Sequence, residues 1–158
     1  MKRFAFAFSV LLWACSPLLI ADEGHHHEEV TAEQLGTVHF AVSCDASLQK
    51  PFEKGVALLH SFWYEEADKA FQEIAKDDPK CAMAYWGEAM SKWHQLWNKP
   101  DAATIKQGLA AAKKAKSLKP KTEREKAYIA AITAFYQNSK KFDHQARATA
   151  YSLSLIHI

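Results

Sequence analysis

Residues 55–79, which read GVALLHSFWYEEADKAFQEIAKDDP, contain the pattern that decides the fold. Gly55 lies twelve residues before Ala67, which Phe71 follows in an Ala-x-x-x-Phe arrangement, and Pro79 closes the stretch. The small residues Gly55 and Ala67 allow two helices to approach closely, and Phe71 can fill the space toward a following unit. Pro79 ends the second helix, because proline disfavours helical backbone in the residue before it. The stretch therefore predicts a hairpin of two antiparallel helices.

Helical periodicity continues on both sides of this stretch. Before it, apolar residues recur at spacings of four, three and three at Phe52, Val56, Leu59 and Phe62. After the second helix, about residues 64–76, a third helix from Ala82 carries a stripe of large side chains at Met83, Trp86, Met90, Trp93 and Trp97. The capping residues Asp101, Thr122 and Asp143 predict the starts of three more helices. Six helices joined by short breaks indicate an all-α fold of stacked hairpins.

The hairpin pattern is repeated along the chain. Tyr64 precedes Ala67 in the first hairpin, and in the second Tyr85 and Ala89 occupy the aromatic and small positions. Pro120 follows Pro79 by 41 residues. The arrangement resembles the tetratricopeptide repeat (TPR), whose period is 34 residues, with a longer hairpin loop here. The resemblance implies a TPR-like solenoid that binds peptides in a concave groove and has no catalytic residue of its own.

A wider resemblance covers residues 35–152 and involves three segments. They begin at Leu35-Gly-Thr-Val-His-Phe, at Gly55-Val-Ala-Leu-Leu-His and at Cys81-Ala-Met-Ala-Tyr-Trp-Gly. Together they are similar to a group of exported bacterial TPR proteins of unknown function whose members are longer. This resemblance implies a chain truncated at the C-terminus, in which an incomplete third hairpin leaves Ile132 and Phe135 exposed.

The amino terminus predicts export. Lys2 and Arg3 precede an apolar run, and a polar acidic segment follows it, which is the order found in a secretory signal peptide over residues 1–21. Cys15 lies in a sequence similar to a lipoprotein box, and lipidation there is the alternative to simple secretion. The mature chain is then expected in the periplasm or outside the cell, without a membrane span.

Residues 22–45 form a leader that is expected to be partly extended. Its first part is acidic and contains His25, His26 and His27, which favour either a solvated tail or, with His39, a metal site. Its second part alternates apolar and polar residues over 38–42, which predicts an extended segment lying across the first hairpin. A periplasmic metal-handling protein is therefore one alternative function.

Cys44 and Cys81 remain once the signal peptide is removed. An even pair in an oxidising compartment indicates a disulfide more often than a metal site, and two buried free thiols are the alternative. Cys44 precedes the first helix of the first hairpin, and Cys81 precedes the first helix of the second. Equivalent helices of stacked hairpins lie side by side, so we expect the two cysteines to be neighbours and bonded.

Composition limits the class of function. The 158 residues suffice for one domain, here residues 46–158, and removal of Lys2 and Arg3 leaves 18 basic and 18 acidic residues. A neutral chain does not favour nucleic-acid binding. A candidate acid–base set can be assembled only from His60, Glu65, Glu66 and His94. With no hydrolase or phosphate-loop motif beside them, we expect no enzyme activity and no cofactor, unless the chain is an accessory domain of a longer enzyme.

The expected function is therefore that of an exported, non-catalytic TPR scaffold with a protein or peptide partner. The tryptophan stripe of the third helix is its candidate groove, because aromatic side chains dominate binding surfaces. Packing between hairpins is the favoured role of such a stripe, because large aromatic side chains mostly lie inside a protein. Trp93 and Trp97, nearest the hairpin loop, are the candidates for contact with a partner, and Trp97 is the one most expected to be exposed.

Overall fold

The computed structural model describes residues 35–95 and 98–156. Six α-helices and no β-strand occur within these ranges. The helices are α1 (Gln49–His60), α2 (Tyr64–Asp77), α3 (Ala82–Ser91), α4 (Ala102–Ser117), α5 (Glu123–Tyr136) and α6 (His144–Leu155), and a short 3-10 turn at Ala46–Leu48 precedes α1. The predicted all-α class is confirmed.

Local capping explains where the last three helices begin. The Asp101 carboxylate accepts a hydrogen bond from the Thr104 amide at 2.7 Å, and the Asp143 carboxylate accepts one from the Ala146 amide at 2.8 Å. Thr122 and Glu125 form a reciprocal capping box at the start of α5. Each cap satisfies amide groups that have no partner within the helix. All three caps expected from the sequence are present.

Each helix packs against the next one along the chain, and the first helices of the three hairpins, α1, α3 and α5, also contact one another in order. A stack of helical hairpins accounts for both sets of contacts. Pro79 lies just beyond α2, and Pro120 lies in the break between α4 and α5. Both prolines therefore occupy positions at which a helix has ended.

The Phe71 ring packs against a glycine of each of the first two hairpins, Gly55 and Gly87. The ring is completely buried, and a Cβ atom placed on Gly87 of α3 would lie 2.3 Å from two ring carbons. A Cβ on Gly55 of α1 would lie 2.9 Å from the far edge of the same ring. Ala67, one turn earlier on α2, is also completely buried. The roles expected of Gly55, Ala67 and Phe71 agree with this packing, whereas the sequence pattern did not single out Gly87.

The second and third hairpins meet in a similar way. A Cβ on Gly108 of α4 would lie 2.2 Å from the Tyr136 ring of α5. The buried Tyr136 hydroxyl donates a hydrogen bond to the carbonyl oxygen of Ala89 at 2.7 Å. Ala89 itself has no exposed surface. Small residues on α3 and α4 thus make room for one large aromatic side chain of α5.

Two helix ends differ from the expectation. The helix α3 ends at Ser91 rather than continuing toward Trp97, and His94 adopts a left-handed backbone with φ of 52°. Phe62, expected on the buried face of α1, lies beyond the end of that helix with φ of 62°, and 46% of its surface is exposed. In both places the helix ends before the last apolar residue of the periodic pattern.

The apolar residues of the third hairpin that were expected to face solvent are buried. Ile132 and Phe135 of α5 have no exposed surface, so the expectation that they face solvent is wrong. The reason is that α6 packs along α5, and Trp93 stacks on Phe135 with ring centroids 4.0 Å apart. The Arg147 guanidinium of α6 lies 4.8 Å from the centre of the Phe135 ring on another side. The described residues therefore complete this part of the core themselves.

Candidate functional site

The described part of the leader, residues 35–45, lies on a surface formed by α1, α3 and α5, which we call the leader-binding face. The Phe40 ring contacts one aromatic ring from each helix, with centroid distances of 5.6 Å to Phe52, 5.7 Å to Trp86 and 5.2 Å to Tyr128. The Arg124 guanidinium lies 4.8 Å from the centre of the Phe40 ring. Phe40 is therefore an anchor that joins all three hairpins.

Side chains, rather than a neighbouring strand, bind the extended backbone of the leader. The Phe40 amide donates to Glu53 at 3.1 Å, and the Val42 amide donates to Gln49 at 3.1 Å. The Gln49 side-chain amide donates in turn to the Phe40 carbonyl oxygen at 2.9 Å. From α5, Arg124 donates to the carbonyl oxygen of Ala41. These bonds satisfy the extended backbone without a β-ladder.

The predicted alternation of the leader agrees with its burial. Val38, Phe40 and Val42 are half-buried against the core, whereas His39 and Ala41 are exposed. No strand pairing is present in residues 35–45. The period-two pattern therefore indicated correctly which side chains face inward, although no sheet is formed.

Glu125 fastens the end of the leader. It is almost completely buried, and its two carboxylate oxygens accept hydrogen bonds from the Ser43 amide at 2.7 Å and the Ser43 hydroxyl at 2.5 Å. Burial by itself would raise the pKa of Glu125, but hydrogen bonds from Ser43 and Thr122 outweigh burial, and the pKa is lowered. The carboxylate is therefore held in its charged form as an acceptor for the leader.

A disulfide closes the leader segment. The Sγ atoms of Cys44 and Cys81 lie 1.94 Å apart, and their Cα atoms are separated by 4.8 Å, within the range that a disulfide requires. Cys44 follows Ser43 directly, and Cys81 caps the amino terminus of α3. The cysteine pair is compatible with an oxidising environment. It also ties the leader covalently to the second hairpin.

The leader thus fills the surface that the first helices of the hairpins present. Six hydrogen bonds with the side chains of Gln49, Glu53, Arg124 and Glu125 hold it, together with the half-buried Phe40 ring and the disulfide. Another peptide could bind there only after it displaced this segment. A partner is therefore better accommodated elsewhere on the described surface.

Of the two candidate groove residues, Trp93 does not line a groove. Trp93 is 5% exposed and is covered by Phe135 and Tyr151, with ring centroids at 4.0 and 4.6 Å, so it packs in the core and does not line a groove. Trp86 and Met90 are buried as well. Trp97 lies outside the described residues. The stripe from Met83 to Trp93 is interhelical packing, which is the role favoured for it from the sequence.

Only one of the proposed metal ligands, His39, lies within the described residues. His25, His26 and His27 lie outside the described residues, as do Cys15 and the expected signal peptide. His39 is exposed on the outer side of the leader. No group of three or more His, Cys, Asp or Glu side chains suited to a metal ion occurs within residues 35–95 and 98–156.

A concave surface that we call the loop cavity lies where the α1–α2 loop approaches the residues after α3. It encloses about 350 Å³. Its described lining consists of Phe62, Trp63, Tyr64, Glu65, Glu66 and His94. The Tyr64 and His94 rings stack with centroids 4.7 Å apart, and Phe62 contacts Tyr64 edge-on at 6.3 Å. Two aromatic side chains at its rim, Phe62 and Trp63, are 46% and 47% exposed.

The loop cavity contains part of the acid–base set considered in the sequence. Glu65, Glu66 and His94 line it, whereas His60, at the exposed end of α1, does not belong to its described lining. Tyr64 of the repeat signature is buried beneath it. The sequence offered one signal for this cavity that was not used. Three consecutive aromatic residues occur at 62–64, and two of them, Phe62 and Trp63, lie in the turn between α1 and α2, where polar residues are usual.

A polar groove lined by residues of α2, α3 and α4 has one of its charges, that of Lys92, in a close ion pair. The Lys92 ammonium lies 2.6 Å from the Asp68 carboxylate, and burial, with the nearby charge of Asp68, raises the pKa of Glu88. The Lys114 ammonium lies 5.7 Å from the centre of the Tyr85 ring. Tyr85, the aromatic of the second repeat signature, is therefore half-buried at this groove beneath a lysine.

Comparison of the chain with protein-family models, with curated proteins and with solved structures finds no match. The class that the fold defines is therefore a helical-hairpin protein, and a function must be inferred from its surfaces. Among the described residues, no helix has both the length and the apolar character needed to cross a bilayer.

Proposed function

We propose that this chain is an exported, non-catalytic scaffold of the TPR type that binds a partner protein through the loop cavity. The observation that carries the proposal is the pair of half-exposed aromatic side chains, Phe62 and Trp63, at the rim of a cavity. Tryptophan and other large aromatic residues supply most of the binding energy at many protein interfaces. The surface occupied by the leader does not compete with this one.

Two helix ends bring the cavity lining together. Phe62 follows α1 and His94 follows α3, and both adopt the left-handed φ values that also end α4 at Lys119 and α5 at Asn138. The turn at Phe62 carries its side chain out of the core and to the cavity rim. Export is supported by the Cys44–Cys81 pair, which suits an oxidising compartment.

Site-specific photo-crosslinking in cells that export the protein tests the proposal. A photoreactive phenylalanine analogue replaces Trp63 in one variant and Phe142 in a control variant, because the two side chains are 47% and 45% exposed. We expect a discrete adduct from position 63 that excess unmodified protein suppresses and that Phe62→Ser abolishes. Equal adducts from both positions, or no adduct at position 63, would refute binding through this cavity.

A further inference from the structure

The loop cavity combines π faces with negative charge. The exposed surfaces of Phe62 and Trp63 stand beside the carboxylates of Glu65 and Glu66, which occupy the first turn of α2. None of the described lining residues is a lysine or an arginine. Aromatic faces carry negative electrostatic potential and attract cations, and carboxylates strengthen this attraction.

The ion pair of Lys69 shows that the electrostatic potential beside the cavity is negative. The Lys69 ammonium, one turn along α2, lies 2.9 Å from a Glu66 carboxylate oxygen. The hydrogen bond to Glu66, followed by the charges of Glu66 and Glu65, raises the pKa of Lys69. A positive charge is therefore stabilised at this end of α2. Lys69 balances part of the negative charge of Glu66, but it does so from outside the cavity, since it is not among the lining residues.

Aromatic rings in contact with one another line the cavity. The Tyr64 and His94 rings are inclined by 19°, with centroids 4.7 Å apart, and the adjacent Phe62 ring stands at 62° to Tyr64. A lining of packed aromatic rings suits a planar or compact charged group that can lie against a ring. The volume of about 350 Å³ exceeds what a single side-chain head group needs, so the group can enter with its aliphatic stem.

We propose that the loop cavity binds a cationic side chain, an arginine guanidinium or a lysine ammonium, presented by the partner protein. This inference rests on the proposed scaffold function and specifies the chemistry of the partner. In this arrangement the rings of Trp63 and Phe62 contact the aliphatic stem and the charged group of the bound side chain, and the carboxylates of Glu65 and Glu66 supply the opposite charge. Arginine suits the site better than lysine, because its planar group stacks on aromatic rings and pairs with carboxylates at the same time.

Titration with small analogues tests the charge requirement directly. N-acetyl-arginine amide carries the guanidinium, and N-acetyl-citrulline amide is a neutral compound of nearly the same shape. Binding is followed by NMR shifts of the Trp63 indole and His94 ring signals in the oxidised full chain. We expect saturable shifts with the arginine amide, and an affinity about 5-fold lower for the citrulline amide.

Matched variants localise the effect. Trp63→Ala should weaken binding of the arginine amide about 2- to 5-fold. Glu65→Gln should weaken it about 2-fold at low ionic strength, and the difference should shrink in high salt, which screens exposed charges. Phe142→Ala is the control for an exposed aromatic residue. Glu123→Gln is the control for a first-turn glutamate, since Glu123 lies in the first turn of α5 as Glu65 lies in the first turn of α2. Neither control should change the affinity.

Equal affinity for the two amides, absence of shifts with both, or equal weakening by the control variants would overturn the inference. These outcomes are separable from failure of the scaffold proposal. A specific crosslink at position 63 without discrimination between the amides retains the partner surface and refutes its cationic ligand. Charge-selective binding without a crosslink retains the cation site and refutes its use by a partner protein.

Discussion

Substitution of Gly87 by alanine should destabilise the protein through Phe71. The added Cβ would lie 2.3 Å from two carbons of the Phe71 ring, whereas carbon atoms in contact are normally about 3.5–4.0 Å apart. The ring would have to move by more than about 1 Å. It is completely buried, and its far edge already lies against Gly55, so the movement must displace other core atoms.

The expected size of the effect follows from two opposing contributions. Overpacking of a well-packed core costs about 1–3 kcal/mol, and the large displacement here favours the upper part of that range. Replacing a helical glycine with alanine gains up to about 1 kcal/mol in helix propensity. We therefore expect Gly87→Ala to lower the free energy of unfolding by about 2 kcal/mol. Gly55→Ala should cost less, because its Cβ would lie 2.9 Å from the outer ring atoms only.

A double-mutant cycle isolates the cause. In a Phe71→Leu background the ring is absent, and Gly87→Ala should become neutral or stabilising by up to about 1 kcal/mol. The assay is urea unfolding of the oxidised protein, followed by far-ultraviolet circular dichroism, for the wild type, both single variants and the double variant. If Gly87→Ala lowers the free energy of unfolding equally in both backgrounds, or leaves it at the wild-type value in the single variant, the close packing of Phe71 against Gly87 is refuted.

Three further predictions concern the leader. Cys44 and Cys81 should resist alkylation in native, non-reduced protein by mass spectrometry. Replacing both with serine should lower the free energy of unfolding by about 4 kcal/mol, the chain-entropy value for their separation of 37 residues. Two alkylatable thiols would contradict the first of these outcomes. Phe40→Ala should cost about 3–5 kcal/mol of unfolding free energy in chemical denaturation, because it removes the anchor common to three helices, whereas His39→Ala, on the exposed side, should change it by less than about 0.5 kcal/mol. The lowered pKa of Glu125 stabilises the fold above the ordinary value of 4.5, and this contribution is lost as the pH falls through the folded-state pKa. Thermal melts at neutral and at acidic pH should therefore show a smaller acid-induced fall in Tm for Glu125→Gln than for the wild type, and an equal fall would exclude Glu125 as a contributor.

Helix starts could be predicted from the sequence because a cap and the amides it satisfies lie within three residues of each other. Asp101, Thr122 and Asp143 act within their own first turn, so tertiary contacts need not supply the partner. The cysteine pairing could also be inferred, because Cys44 and Cys81 precede equivalent helices of neighbouring hairpins. That inference needed only the hairpin repeat.

The ends of helices were less predictable, and so was the use of the aromatic residues. The apolar periodicity continues through Phe62 and beyond Ser91, but the backbone turns left-handed at Phe62 and at His94. Periodicity records which side chains are apolar, and it does not show where the last amide finds a carbonyl partner. As a result, Phe62, expected in the core, lies at the cavity rim. Trp93, a candidate groove residue, is buried instead, because Phe135, about 40 residues later in the chain, covers it.

By itself the sequence determined the all-α class, the six helices of residues 46–95 and 98–156, the capped starts of the last three and the inward side of residues 38–42, since each depends on residues close together in the chain. The tertiary structure alone decided what the leader faces, because Glu125 lies 82 residues beyond Ser43. It also decided that Gly87 receives Phe71 and that Phe62, Trp63 and His94 share a cavity. These contacts depend on how far one helix is displaced and rotated relative to another. Close packing sets that geometry, and no pattern within a single helix specifies it.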